Sequence, residues 1–111
     1  MITTQKKEQC TIISFDGIFR FNTQFALEVK PQMMESLKNS SNLIVDLTGI
    51  KFIDSGGFGV IISLLKASKQ SNSRLLFCNL SHEVLDLINI MQLHMILEIY
   101  STLSDAEKSC M

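Results

Sequence analysis

Leu43-Ile44-Val45-Asp46-Leu47-Thr48-Gly49-Ile50-Lys51-Phe52-Ile53-Asp54-Ser55-Gly56-Gly57-Phe58-Gly59-Val60 is the stretch that decides the fold. Leu43 to Leu47 is a nearly unbroken apolar run, the pattern of a strand buried on both faces of a parallel sheet. Thr48-Gly49 interrupts it, and Ile50 to Ile53 leads into Asp54-Ser55-Gly56-Gly57. A helix is expected from about Gly56 to Gln70. Phe58, Ile61 and Leu65 recur at helical spacing, with Ile62 and Leu64 widening the apolar stripe. The opposite stripe, Gly56, Gly59, Ser63, Lys66 and Gln70, is small or polar throughout. Strand, short loop and helix together read as one unit of an α/β domain.

Working outward, Ile2 to Gln5 and Cys10 to Phe15 are β-branched and partly alternating, separated by Lys6-Lys7-Glu8-Gln9. They predict an antiparallel hairpin followed by an Asp16-Gly17 turn. From about Asn22 to Asn39, Phe25, Val29, Met33, Ser36 and Leu37 recur at helical steps, with Asn22 or Thr23 capping the start. Pro31 inside this run is expected to kink or split the helix, because it removes one backbone donor. Beyond Gln70 the pattern gives a turn over Ser71-Asn72-Ser73 and a strand from Arg74 to Cys78. A helix follows from about Ser81 to Met91, then a short strand near Ile96 to Ile99 and a last helix near Leu103 to Lys108. The expected fold is α/β, one domain over residues 1–111. Its sheet is mixed and mostly parallel, with four to five strands, an N-terminal antiparallel hairpin and about four helices.

Composition narrows the function classes. The chain is 46% hydrophobic and 19% charged, with one proline and five glycines, which are globular values. Lys plus Arg number 10 and Asp plus Glu 11, for a net charge of −1. That balance lacks the basic excess of a nucleic-acid binder. Cys10, Cys78 and Cys110 form neither a zinc-type spacing nor an even disulfide set, which points to a reducing compartment. Cys78 lies in the run Leu75-Leu76-Phe77-Cys78 and reads as a small core residue. No apolar run approaches the roughly 18 residues needed to span a bilayer, and residues 1–9 are not followed by a signal-peptide core. A cytoplasmic location without membrane contact is expected. Met33, Met34, Met91 and Met95 read as core filler.

The chemistry concentrates at Ile53-Asp54-Ser55-Gly56-Gly57. Ser55 falls at the N-cap or just before it, where its oxygen can accept from a free amide of the first turn. Uncapped amides and the helix dipole favour negative charge there. A phosphate on Ser55 would bring about −1.5 to −2 charges to a terminus suited to receive them. The domain would keep its fold while a neutral, low-relief surface became anionic. From spacing alone the plainer alternative stands beside this one: Ser55 is an ordinary cap, the glycines shape a turn, and the small-residue stripe is a solvated helix face.

The run from Asp46 to Val60 resembles the signature of bacterial anti-sigma factor antagonists, which are STAS domains. That signature is an apolar strand ending in Asp-Leu, a short loop, an aromatic and an apolar residue, then Asp-Ser-x-Gly-hydrophobic-Gly. Ser81-His82-Glu83-Val84-Leu85-Asp86-Leu87 is similar to the family's helix after the fourth strand, and the order of elements matches over nearly the whole chain. The resemblance implies a non-enzymatic switch without a cofactor or metal. It also implies phosphorylation of Ser55 by an anti-sigma factor that is itself a GHKL-type serine kinase, and reset by a PP2C-type phosphatase. On this reading Asp54, Ser55, Gly56, Gly57, Gly59, Ser63 and Lys66 carry partner binding. A constitutive STAS interaction module, whose serine is never modified, is the alternative. The chain departs from the pattern twice. Gly56 stands where Ser, Thr or Ala is common, and glycine costs about 0.8–1.0 kcal/mol in a helix interior, so a looser first turn is expected. Arg20 stands near the point where an acidic residue is frequent, which puts the partner's character in question.

Other chemistries fit less well. Phosphoryl transfer to Asp54 would need a magnesium site of further carboxylates and a lysine, and Asp16 stands alone in the early part of the chain. A serine hydrolase would need a base and an oxyanion hole about the nucleophile; Gly-x-Ser-x-Gly is absent, and His82 and His94 have no partner visible in sequence. Gly56-Gly57-Phe58-Gly59 lacks both the P-loop ending and dinucleotide spacing.

Overall fold

The structure, a computed structural model, describes all 111 residues. The hairpin forms as β1 (Ile2–Lys6) and β2 (Thr11–Phe15), paired antiparallel from Ile2 against Phe15 to Lys6 against Thr11. Next come β3 (Arg20–Phe21), α1 (Thr23–Lys38), β4 (Asn42–Asp46), β5 (Phe52–Ile53) and α2 (Ser55–Gln70). The chain ends with β6 (Arg74–Cys78), α3 (His82–Ile90), a single 3₁₀ turn at Leu93–Met95, β7 (Glu98–Tyr100) and α4 (Leu103–Ser109). The main sheet has the order β1-β2-β4-β6-β7, antiparallel only at its first pair.

Side chains alternate across the pleat, so one strand serves two cores. Ile13, Leu43, Val45, Leu75 and Phe77 face one side, where they meet Ala26, Val29, Met33 and Leu37 of α1, Phe58, Ile61 and Leu64 of α2, and Val84 and Ile88 of α3. Ile12, Ile44, Leu76 and Cys78 face the other, covered by Ala106 of α4 with Leu103 and Cys110 beside it. Three helices thus cover one face and one short helix covers the reverse, which is why β4 reads as apolar on both sides. Arg74 ties α4 down. It pairs with Glu98 on β7, and its Nη1 donates to the Ser109 carbonyl at 2.9 Å.

Several expectations change. Pro31 does not split α1, which is continuous from Thr23 to Lys38. Pro31 and Leu27 both lie on the exposed face, so the Leu27 carbonyl that loses its donor faces solvent, while Ala26, Val29 and Met33 hold the buried side. The small sheet of β3 and β5, in which Arg20 pairs with Phe52 and Phe21 with Ile53, was not expected. The last strand lies at Glu98–Tyr100 rather than Ile96 to Ile99. Of the methionines, Met33 is buried and Met34 half-buried, but Met91 and Met95 are exposed and fill no core. Met91 lies just past the last buried residue of α3, Ile88, and Met95 sits on the outer side of the 3₁₀ turn between the buried Leu93 and Leu97.

Candidate functional site

Asp46-Leu47-Thr48-Gly49 shapes the approach to the site. The Asp46 carboxylate accepts from the Thr48 amide at 3.0 Å and the Thr48 hydroxyl at 2.6 Å, closing a local turn at the end of β4. Gly49 follows at φ 87°, a conformation open to glycine and strained for most other residues. The reversed chain then runs beside Phe19, whose carbonyl accepts from the amides of Lys51 and Phe52, and enters β5.

Asp54 caps the helix that follows. Its Oδ1 accepts from the Gly57 amide at 2.9 Å, which is the third residue of α2. Its Oδ2 accepts from the Thr23 amide at 2.9 Å, and the Thr23 hydroxyl lies 3.0 Å from both carboxylate oxygens. Thr23 is the first residue of α1, whose own cap, Asn22, serves the Phe25 amide. One carboxylate therefore serves the N-termini of two helices. The Gly57 amide first, then the Thr23 amide, holds the Asp54 carboxyl below its ordinary value of 3.8. The positive ends of two helix dipoles meet at the same point and act in the same direction.

Ser55 is consequently not the cap. It is the first residue of α2, exposed, and its hydroxyl makes no hydrogen bond within the chain. Sequence could not choose between Asp54 and Ser55, since both residue types cap well. Thr23, distant in sequence, decides it.

The two glycines after Ser55 are packing residues. A Cβ at Gly56 would lie 2.0 Å from Thr23 Oγ1 and 2.5 Å from Thr23 Cβ. A Cβ at Gly57 would lie 2.1 Å from the Phe21 carbonyl oxygen and 2.8 Å from Ile53 Cγ2. Gly57 is buried and offers no surface to a partner, and Gly56 is half-buried against α1. The first turn closes its backbone bond from the Phe58 amide to the Asp54 carbonyl at 2.9 Å, and the glycine lets α2 close onto α1. Gly59 is different. It is exposed, and a Cβ there would meet nothing within 4 Å. With Ser55, Gly59 and Lys66 exposed and Ser63 half-buried, one face of α2 is low and open from its N-terminus onward. Ser68 is buried, so the inward stripe runs Gly57, Ile61, Leu64, Ser68 and leaves Leu65 at its margin.

At the β3–β5 pair that leads into α2 stands a group that sequence reasoning noticed only in part. Arg20 lies with its guanidinium carbon 5.6 Å from the ring centre of Phe19 and 5.7 Å from that of Phe52. Both rings are exposed, at 58% and 44%. His82 pairs with Asp86 on α3 at 3.3 Å, and His94 is exposed on the 3₁₀ turn; neither bonds to Ser55.

The family model for the STAS domain matches residues 1–106. The chain belongs to the STAS domain family. Among solved structures, this STAS domain is similar to an anti-sigma-factor antagonist domain protein from Planctomyces limnophilus. That match has a TM-score of 0.89 and 18% identity, covering 99% of this chain and 97% of the other. It is also similar to the Bacillus cell fate determinant SpoIIAA in its phosphorylated form, at TM-score 0.73 and 12% identity over 98% of each chain. A third similarity is to SLC26A9, at TM-score 0.71 and 19% identity, where 96% of this domain corresponds to 20% of that chain. None of the curated proteins compared with the chain matches it. No helix of this STAS domain is long and apolar enough to cross a membrane.

Proposed function

We propose that this STAS domain is an anti-sigma factor antagonist that binds a serine-kinase anti-sigma factor and is released when Ser55 is phosphorylated. One observation carries the reading: Asp54 takes the capping role and leaves the Ser55 hydroxyl exposed and unbonded at the first position of α2. A kinase need break no internal hydrogen bond to reach it. Transfer moves the γ-phosphoryl of ATP to Ser55 Oγ, with ADP leaving and the hydroxyl proton lost. The product sets about −1.5 to −2 charges beside two helix N-termini, whose dipoles favour anion and offset part of the repulsion from the Asp54 carboxylate next to it, and on a face where a docked partner would be desolvated and repelled. Gly59 supports the same reading. An exposed mid-helix glycine with open space above it costs helix stability, and packing gives it no role; close approach of another surface does. That the Bacillus relative has been seen in a phosphorylated form adds support.

Incubation with the cognate kinase and ATP should add one phosphate, located on Ser55 by mass spectrometry and lost in Ser55→Ala. Stoichiometric labelling of Ser55→Ala would reject the assignment. Ser55→Asp should weaken kinase binding, and unchanged affinity would remove charge as the mechanism. Reset would fall to a PP2C-type phosphatase, and the cytoplasm is the compartment consistent with three free thiols. A second reading is favoured by the occurrence of the same fold within the much longer SLC26A9 chain. On that reading the domain is a constitutive interaction module and Ser55 stays unmodified. Phosphorylation measured on protein isolated from cells under several growth conditions separates the two.

A further inference from the structure

Arg20 is an exposed cation without an acidic partner in its own chain; the ion pairs of the domain join Lys7 to Glu107, Arg74 to Glu98 and His82 to Asp86. Its guanidinium makes no hydrogen bond to the protein, yet it is held in place by the faces of Phe19 and Phe52. Cation–π contact of this kind restrains a long side chain while leaving its donors free of hydrogen bonds within the chain. Lys51, next to Phe52, adds a second exposed cation without a salt-bridge partner. The backbone beneath is fixed, because β3 and β5 pair and the Phe19 carbonyl accepts from both Lys51 and Phe52 amides. Two exposed aromatic rings around a pre-oriented guanidinium form a patch suited to burial against another protein, where Arg and aromatic side chains carry much of the binding energy.

We propose that Phe19, Arg20, Lys51 and Phe52 form the specificity end of the docking surface, and that the partner presents a carboxylate flanked by apolar side chains to it. The inference rests on the docking half of the function proposed above, not on the phosphoryl transfer. Charge complementarity selects the occupant. The free donors of Arg20 match a carboxylate in bidentate geometry, while the rings exclude water around the pair. A basic partner would meet two unpaired cations. The patch also couples to Ser55. Phe52 and Ser55 are three residues apart, so their Cα atoms lie within about 11 Å, against a Debye length of about 8 Å at physiological salt, and the coupling should strengthen as salt is lowered. A phosphate on Ser55 would oppose the same carboxylate that Arg20 attracts.

Selection of random peptides displayed on phage against the full chain tests this. The expected consensus pairs Asp or Glu with neighbouring Leu, Ile or Phe. A synthetic peptide of that consensus should bind the wild type about tenfold more tightly than Arg20→Gln, and replacing its carboxylate by the amide should cost a similar factor. Arg20→Lys, which keeps the charge and loses the planar stack, should fall between, and Ser55→Asp should weaken the same peptide. Consensus peptides without a carboxylate, equal binding by Arg20→Gln, or no enrichment above background would overturn the proposal. A kinase that fails to label Ser55 would instead overturn the phosphoryl-transfer reading and leave the peptide result standing.

Discussion

Gly56, Gly57 and Gly59 stand within four positions of one another and do three different things. At Gly57 a methyl group would meet the Phe21 carbonyl oxygen at 2.1 Å, a backbone atom that cannot swing aside. Gly57→Ala should therefore destabilise the domain by about 1–3 kcal/mol, read as a lower urea midpoint at unchanged m-value. Gly59→Ala meets open space and should stabilise by up to about 1 kcal/mol in the same experiment. The sequence showed a glycine cluster before a helix but not this division, because the atoms that distinguish the positions belong to Phe21 and Thr23, more than thirty residues away. Asp54 supplies the pH dependence at this scale. Its carboxyl is held below the ordinary value by the Gly57 and Thr23 amides, so its contribution to stability is fully present above the unfolded-state pKa. That contribution is lost as pH falls through the lower folded-state value. A carbon-detected NMR titration should place the Asp54 midpoint below that of an unstructured Asp, and Asp54→Asn should flatten the acid limb of the stability curve.

Elements long enough to show a period were legible in the sequence. The hairpin, β4, α1, α2 and β6 lie where alternation, apolar runs or helical spacing put them, and all but the exposed edge strand β1 bury a continuous face. β3 and β5 are two residues each, too short for any period, and they exist only because Phe21 and Ile53 are brought together by the loops before α1 and α2. They matter more than their size, since they carry Arg20 and Phe52. Pro31 is the converse case, a strong local signal outweighed by packing. Its side of α1 is exposed while Ala26, Val29, Met33 and Leu37 anchor the other. Pro31→Ala should restore the missing donor to the Leu27 carbonyl and raise stability by about 1–3 kcal/mol, measured by thermal unfolding. No gain would mean that the bond is compensated in the native state or that proline's restriction of the unfolded chain offsets it.

The whole molecule is a sheet with unequal cover, three helices on one face and α4 on the other, and its thiols report that arrangement. Cys78 lies on the α4 side, where burial pushes its pKa up to about 12. Burial also raises Cys10. Cys110, at the end of α4, is only half-buried. Iodoacetamide at neutral pH should label Cys110 first, and Cys78 only at the rate of global unfolding. Early labelling of Cys78 would show that α4 lifts from the sheet independently of the rest. The fold class and a helix start near Asp54 and Ser55 were readable from the chain because both follow from local pattern, although Ser55 is the first residue of the helix rather than its cap. The free state of the Ser55 hydroxyl was not, since it depends on α1 lending Thr23 to the loop before α2.

That loan constrains how such a chain can change. With Thr23 Oγ1, Cβ and Cγ2 all inside 2.6 Å of where a side chain at position 56 would begin, the two sites cannot be altered one at a time. A variant that gains a methyl group at position 56 must strip position 23 toward glycine or let the paired helix starts splay. Either route disturbs the grip of Asp54 on α1. Any larger residue at position 56 is then tolerable only with a compensating loss at position 23, so the two should drift together across descendants of this sequence.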